Sequence, residues 1–190
     1  MLFFAQKFKS NGFFIRQEAE FLQERLCLHS IDFPDNFLPV KLLSVELVPS
    51  TCWFSNVRDH VPKKTWDSLR KSTYKKANYH CEICGGRGNK WPVECHEIWH
   101  YDDINHLQTL LGLTSLCPSC HRVKHIGLAG LQGHADEAEA HLTKVNGWNS
   151  DETDNYLESV WNTWEERSSH QWTFDLSHLL AYGIQINSKR

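Results

Sequence analysis

The feature that most constrains this chain is a pair of C-x2-C units, Cys81-x2-Cys84 and Cys117-x2-Cys120, separated by 32 residues. Two such knuckles bring four thiolates into a tetrahedron around zinc, with Zn–S distances of about 2.3 Å. Gly85 and Gly86 follow the first knuckle and permit the tight turn that aims amide groups at sulfur. A thioredoxin-like redox pair needs only one C-x2-C and a βαβ context, which is absent here. The chain holds seven cysteines, an odd number that argues against a disulfide framework. Cys27, Cys52 and Cys95 read as small buried hydrophobes.

A chain of 190 residues can bury a core without disulfides. No apolar run approaches the length of a membrane span. The N-terminal "MLFFAQKFKS" lacks the basic region and cleavage site of a signal peptide, so the expected location is cytoplasmic. The net charge is −3, but the charges are segregated. Lys63, Lys64, Arg70, Lys71, Lys75, Arg87 and Lys90 lie in the middle, and acidic residues crowd the tail. Local fields of this kind, rather than the total, steer a polyanion.

Three regions are expected: an extension over 1–45 with a helix and linker, a zinc-stapled domain over 46–130, and a helical extension over 131–190 packing on it. In the first, "FIRQEAEFLQERLCL" has helical apolar spacing, and "HSIDFPDNFLPVK" reads as linker. "KLLSVELV" reads as a short strand. "VPKKTWDSLRKSTYKKANYH" reads as an amphipathic helix with Pro62 in its first turn and a basic face that is either solvated or held against phosphate. A helix begins near Ser119. Two more are expected in "HADEAEAHLTKVNG" and "DETDNYLESVWNTWEERS", the second with Tyr156, Val160, Trp161 and Trp164 inward. "WTFDLSHLL" alternates as a short strand would. The acidic tail reads as solvated helix faces that complete the core through its tryptophans.

His121 and His125 stand four apart, so a helix places them on one face, where they can grip one ion. With His96 and nearby carboxylates inside the same zinc frame, they suggest a second metal site. A strand over 92–100 would point His96, Ile98 and His100 to one side, and Glu97 and Trp99 to the other, unless a turn or bulge intervenes.

The stretches "CEIC", "VECHEIW" and "LCPSCHRVKH", over about residues 79 to 126, resemble the HNH endonucleases of the ββα-metal class in their four-cysteine, zinc-stapled version. The resemblance implies an α+β fold: a ββα-metal motif stapled by a four-cysteine zinc site, with added N- and C-terminal helices. It also implies hydrolysis of DNA phosphodiester bonds. His96, His121 and His125 would hold Mg, Mn, Ni or Zn, beside structural zinc on Cys81, Cys84, Cys117 and Cys120. In the preferred register Glu97 stands where the family has its general-base histidine. In the other register Cys95 takes the ligand place and His96 is the base. His100 competes for the base role. Gly112 stands where the family's asparagine is expected. Lys63, Lys64, Arg70, Lys71, Lys75, Arg87, Lys90, Arg122 and Lys124 would contact the DNA backbone. The departures at Glu97 and Gly112 sustain an alternative: an inactive HNH-like zinc module that binds nucleic acid or a protein. A homodimer or protein partner stays open, and no membrane is involved.

Overall fold

A computed structural model describes residues 42–53 and 56–186, all within one compact unit, Leu42–Arg190. The helix and linker expected over 14–41, and Cys27, lie outside the described residues. The fold is α+β, a small three-stranded sheet with helices on both sides. In chain order the elements are α1 (Val57–His60), α2 (Lys63–Lys76), β1 (Glu94–Asp102), β2 (Leu107–Leu116), α3 (Pro118–Lys124), α4 (Ile126–Leu131), α5 (Ala135–Asn146), α6 (Ser150–Ser168), β3 (Thr173–Asp175) and α7 (Ser177–Leu180). Strands β1 and β2 are antiparallel, and β3 joins β2 in parallel.

The β1–β2 register shifts between Ile98 and Trp99: Ile98 pairs with Gly112, but Trp99 pairs with Leu110. Leu111 is therefore a one-residue bulge on β2, and its side chain is exposed. A bulge inverts the in–out alternation of the strand that carries it. Thus Leu116 and Leu110, both even-numbered, enter different cores. Leu116 joins Leu43, Cys81, Cys120, Val123, Leu142 and Leu157. Leu110 joins Val57, Val61, Leu176 and Leu179, with Trp66, Leu69 and Trp99 packed against them. Each face of the sheet thereby owns a core; α5 and α6 contribute to the first, and α7 to the second.

Local chemistry explains the helices. Pro62 is the N-cap of α2, one position before the first turn, and Lys75 and Lys76 close the helix at its negative end. Helix α5 ends at Gly147, whose φ of 68° is the left-handed C-cap conformation. Asn149 and Glu152 form a capping box on α6: Glu152 N–H donates to Asn149 Oδ1 at 2.9 Å, and Asn149 N–H donates to Glu152 Oε2 at 2.7 Å. The α6 residues that are fully buried are Thr153 and Leu157, one turn before the aromatic face expected to point inward. Tyr156 and Trp161 pack at the margin of that core.

The strand expected in "KLLSVELV" does not form over the described residues 42–48. Its polar groups go to helices instead of a neighbouring strand. Leu43 exchanges bonds with the Asn146 side chain, N–H to Oδ1 at 2.8 Å and Nδ2 to carbonyl at 2.9 Å. Val45 N–H donates to Tyr156 Oη at 2.8 Å, and Glu46 N–H to the Lys124 carbonyl at 3.0 Å. Trp164 Nε1 donates to the Val48 carbonyl at 2.9 Å. With its bonds satisfied by side chains and helix ends, the segment has no ladder to join. No helix among the described residues is long and apolar enough to cross a membrane.

Candidate metal centres

Two groups of side chains are close enough to hold an ion, and both use α3. The first is Cys81, Cys84, Cys117 and Cys120, whose sulfurs lie within 4.8 Å of one another. Cys84 Sγ and Cys117 Sγ are 3.6 Å apart. Tetrahedral thiolates at about 2.3 Å from zinc would be separated by about 3.8 Å. The four cysteines are free thiols, and their donor set and spacing suit zinc.

The sequence builds this cradle locally. Gly85 adopts φ 70°, and Gly86 N–H points at Cys84 Sγ from 3.4 Å. Cys120 N–H points likewise at Cys117 Sγ, 3.5 Å away. The first knuckle is tied to the end of β2 by Glu82: its N–H donates to the Ser115 carbonyl at 2.8 Å, and its Oε2 accepts from Ser115 N–H at 2.7 Å and Thr114 Oγ1 at 2.9 Å. At Gly88 any side chain is excluded, because a Cβ would sit 2.2 Å from the Trp91 carbonyl oxygen and 2.7 Å from the Pro118 ring. One contact was invisible in the spacing: His141 Nε2 on α5 lies 3.2 Å from Cys120 Sγ.

The second group is His96, His121 and His125, whose candidate ligand atoms also lie within 4.8 Å. His96 comes from the middle of β1, His121 from α3, and His125 from the residue that caps α3. The rings meet edge to face, with centroids 5.4 Å apart for His96–His121, 5.0 Å for His96–His125 and 4.7 Å for His121–His125. Burial, followed by the neighbouring His121 charge, pushes His96 and His125 down to about 3. Both imidazoles are therefore neutral near pH 7, with lone pairs available to an ion.

Two glutamates complete the surroundings. Glu94 Oε2 lies 2.6 Å from His121 Nδ1, and that hydrogen bond holds its carboxyl below the usual range. The arrangement fixes Nδ1 as the protonated nitrogen and leaves Nε2 for a metal. Glu46 Oε2 lies 3.3 Å from His96 Nε2. Burial pushes the Glu46 carboxyl up to about 7, partly opposed by Lys124. Glu94 was within the quoted motif without an assigned partner. Glu46 carried no spacing signal at all, standing 50 positions before His96.

Strand alternation divides the remaining expected residues. The face of β1 that carries Glu94 and His96 meets α3. The opposite face carries Cys95, Glu97 and Trp99 toward α1 and α2. Glu97 Oε1 accepts from Val57 N–H at 2.7 Å, and burial pushes its carboxyl up to about 7. His100 is exposed on the His96 side. Four residues of strand put it about 13 Å along from His96. The structure thus brings His96, His121 and His125 together and sets Glu97 and His100 apart from them. At Gly112 a Cβ would meet only His178 Nε2, at 4.0 Å, so neither packing nor backbone conformation demands glycine there.

The basic residues are likewise divided. Lys63, Lys64, Lys71 and Lys75 are exposed on α2, across the sheet from the histidines. Arg70 is held by Asp67 at 2.7 Å. Arg87 and Lys90 are exposed in the loop after the first knuckle. Arg122 and Lys124 flank the triad on α3, where Arg122 pairs with Glu137 and Lys124 Nζ donates to Ser44 Oγ at 2.8 Å. Comparison with known proteins returned no significant match to a family model, to a curated protein or to a solved structure.

Proposed function

We propose that this protein is a divalent-metal-dependent endonuclease of the HNH type, acting on DNA phosphodiester bonds. The observation that carries the reading is the histidine triad: three imidazoles from β1 and α3 converge within ligand distance, beside a separate four-cysteine cluster. The run strand–turn–strand–helix, with one ligand from the first strand and two from the helix, is what the resemblance to the ββα-metal class implies. A second site distinct from structural zinc is hard to explain by stability alone, since the cysteines already tie the 81–84 knuckle to the start of α3. Bound there, a cation would polarise a phosphate oxygen and stabilise the leaving oxygen.

The chain's own residues would do the following. His96, His121 and His125 hold the ion, and Glu94 orients His121 through its Nδ1–H. Lys63 and Lys64 lie in the first turn of α2, which has no acidic residue there. Cations at that positive helix end cost stability, and phosphate contact is a reason to keep them. Such contacts give affinity without sequence specificity.

A second reading has an observation of its own. Neither Glu97 nor His100 stands against the triad, so a metal-loaded module that binds nucleic acid without cutting it fits the same geometry. Supercoiled-plasmid cleavage separates the two. Incubation with EDTA, Mg²⁺, Mn²⁺ and Ni²⁺ in parallel is expected to show nicking that needs metal and is lost in His121→Ala. Salt-sensitive binding without nicking under any of these ions would establish the binding module instead.

A further inference from the structure

We propose that His141 is a positioning residue of the four-cysteine site: its Nε2–H donates to the Cys120 thiolate and ties that site to helix α5. The role does not depend on nuclease activity.

Four thiolates around one divalent ion leave an excess of negative charge on sulfur, and a buried thiolate without a donor is costly. The sulfurs differ in how they can meet that need. Cys84 is exposed, and the turn after it, with Gly85 at φ 70°, frees the Gly86 N–H to point at its sulfur from 3.4 Å. Cys117 is the N-cap of α3, and its sulfur accepts from the Cys120 N–H at 3.5 Å. Cys120 is placed differently. It lies inside α3, so the amides that follow it are directed along the helix ladder and not back to its sulfur. The residue is 0% exposed, so bulk water does not reach it. A donor to Cys120 has to come from another element.

His141 supplies it. Its Nε2 lies 3.2 Å from Cys120 Sγ, no further than in an ordinary N–H···O bond, although sulfur is the larger acceptor. The ring belongs to α5, whose Ala138 and Leu142 are buried in the same core as Cys120 and Val123. That packing fixes the helix, and the helix aims the ring. A neutral imidazole has one N–H, and a thiolate facing Nε2 selects the tautomer that carries the proton there. His141 is not among the residues whose atoms lie close enough to share the ion, so it acts on sulfur and not on the metal.

The contact joins two parts of the chain. All four ligands precede α5, and His141 stands 21 positions past Cys120. Cys120 thereby links the zinc site to the helices that follow the knuckles. A hydrogen bond to the thiolate favours it over the thiol, so zinc is held more tightly with His141 in place.

The test uses the full chain with Co²⁺ in the four-cysteine site. Sulfur-to-cobalt charge transfer reports on the thiolates there, and the histidine site, having no sulfur, is silent. His141→Phe keeps the bulk of the ring and loses the donor. His141→Gln keeps an N–H near the position of Nε2. Loss of the bond raises the energy of the sulfur electrons. His141→Phe should therefore shift the charge-transfer band to longer wavelength and weaken zinc retention against a chelator about 10–100-fold. His141→Gln should restore both toward wild type. A band that stays in place in folded His141→Phe, or two variants that lose zinc equally, would show a side chain that only fills space and would overturn the proposal. If His141→Phe does not fold, the wild type decides alone. Nitrogen–proton NMR correlation of the zinc-loaded chain should place the His141 proton on Nε2, and a proton on Nδ1 with Nε2 bare overturns the proposal. A wild type that binds no zinc overturns it as well.

Discussion

Replacing Glu97 by glutamine separates a structural carboxyl from a catalytic one. Its Oε1 accepts the Val57 N–H at 2.7 Å, its side chain also bonds with Trp99, and the charges of Glu46 and Arg58 act on it in opposite senses. Burial raises its pKa from 4.5 to about 7. Between those values the folded protein holds a proton that the unfolded chain has lost. Stability then falls as pH rises through that window, and the full penalty is present above pH 7. A shift of this size corresponds to about 3 kcal/mol. Glutamine keeps the acceptor for Val57 but carries no such penalty. Its amide meets the Trp99 side chain as donor to donor, at a pH-independent cost of about 1–3 kcal/mol. The clean signature is therefore the slope. The stability of Glu97→Gln relative to wild type should improve by about 3 kcal/mol between pH 4.5 and pH 8. Urea melts at both pH values measure it. A difference independent of pH would refute the reasoning. Metal-dependent nicking by folded Glu97→Gln is expected to persist, since the carboxyl faces away from the triad. A folded variant without nicking would return Glu97 to the role of general base.

Other expectations concern the frame and the triad. Gly88→Ala places a methyl against the Trp91 carbonyl and the Pro118 ring, and overpacking of this kind costs about 1–3 kcal/mol. A lower melting temperature and faster loss of zinc to a chelator would register it. Leu142→Ala empties a fully buried site in the core that carries Cys81 and Cys120, at a cost of about 2–5 kcal/mol in a denaturant melt. Glu94→Gln releases the fixed tautomer of His121, and the affinity of the second site for Ni²⁺ should fall about 10–100-fold with the melting temperature of the zinc-loaded protein unchanged.

The parts legible in the sequence are those set by neighbours in the chain. The knuckles, the Gly85 turn, the end of α5 at Gly147 and the acidic start of α6 depend on residues within one turn of one another. The pairing of His121 with His125 is legible for the same reason. Strand parity correctly separates His96 from Glu97, because the bulge falls on β2 and leaves the alternation of β1 intact. What the sequence hides is set by partners far along the chain. Residues 42–48 look like a strand because Val45, Leu47 and their neighbours alternate. Their bonds go to Tyr156, Asn146, Trp164 and Lys124, more than 70 positions away. Glu46 belongs to that hidden class, as does His141. Leu111 is hidden in another way: Leu110, Leu111 and Leu113 are alike in hydropathy, so nothing marks which one the ladder skips.

The central claim is that one small scaffold holds two ions in separate sites, one through sulfur and one through imidazole. Native mass spectrometry of the whole chain after exposure to zinc and then nickel tests it directly. Wild type should carry one zinc and one nickel per chain, and a His121→Ala, His125→Ala double variant should carry one zinc and no nickel while remaining folded. A double variant that still takes up nickel, or a wild type that never holds a second ion, would contradict the account.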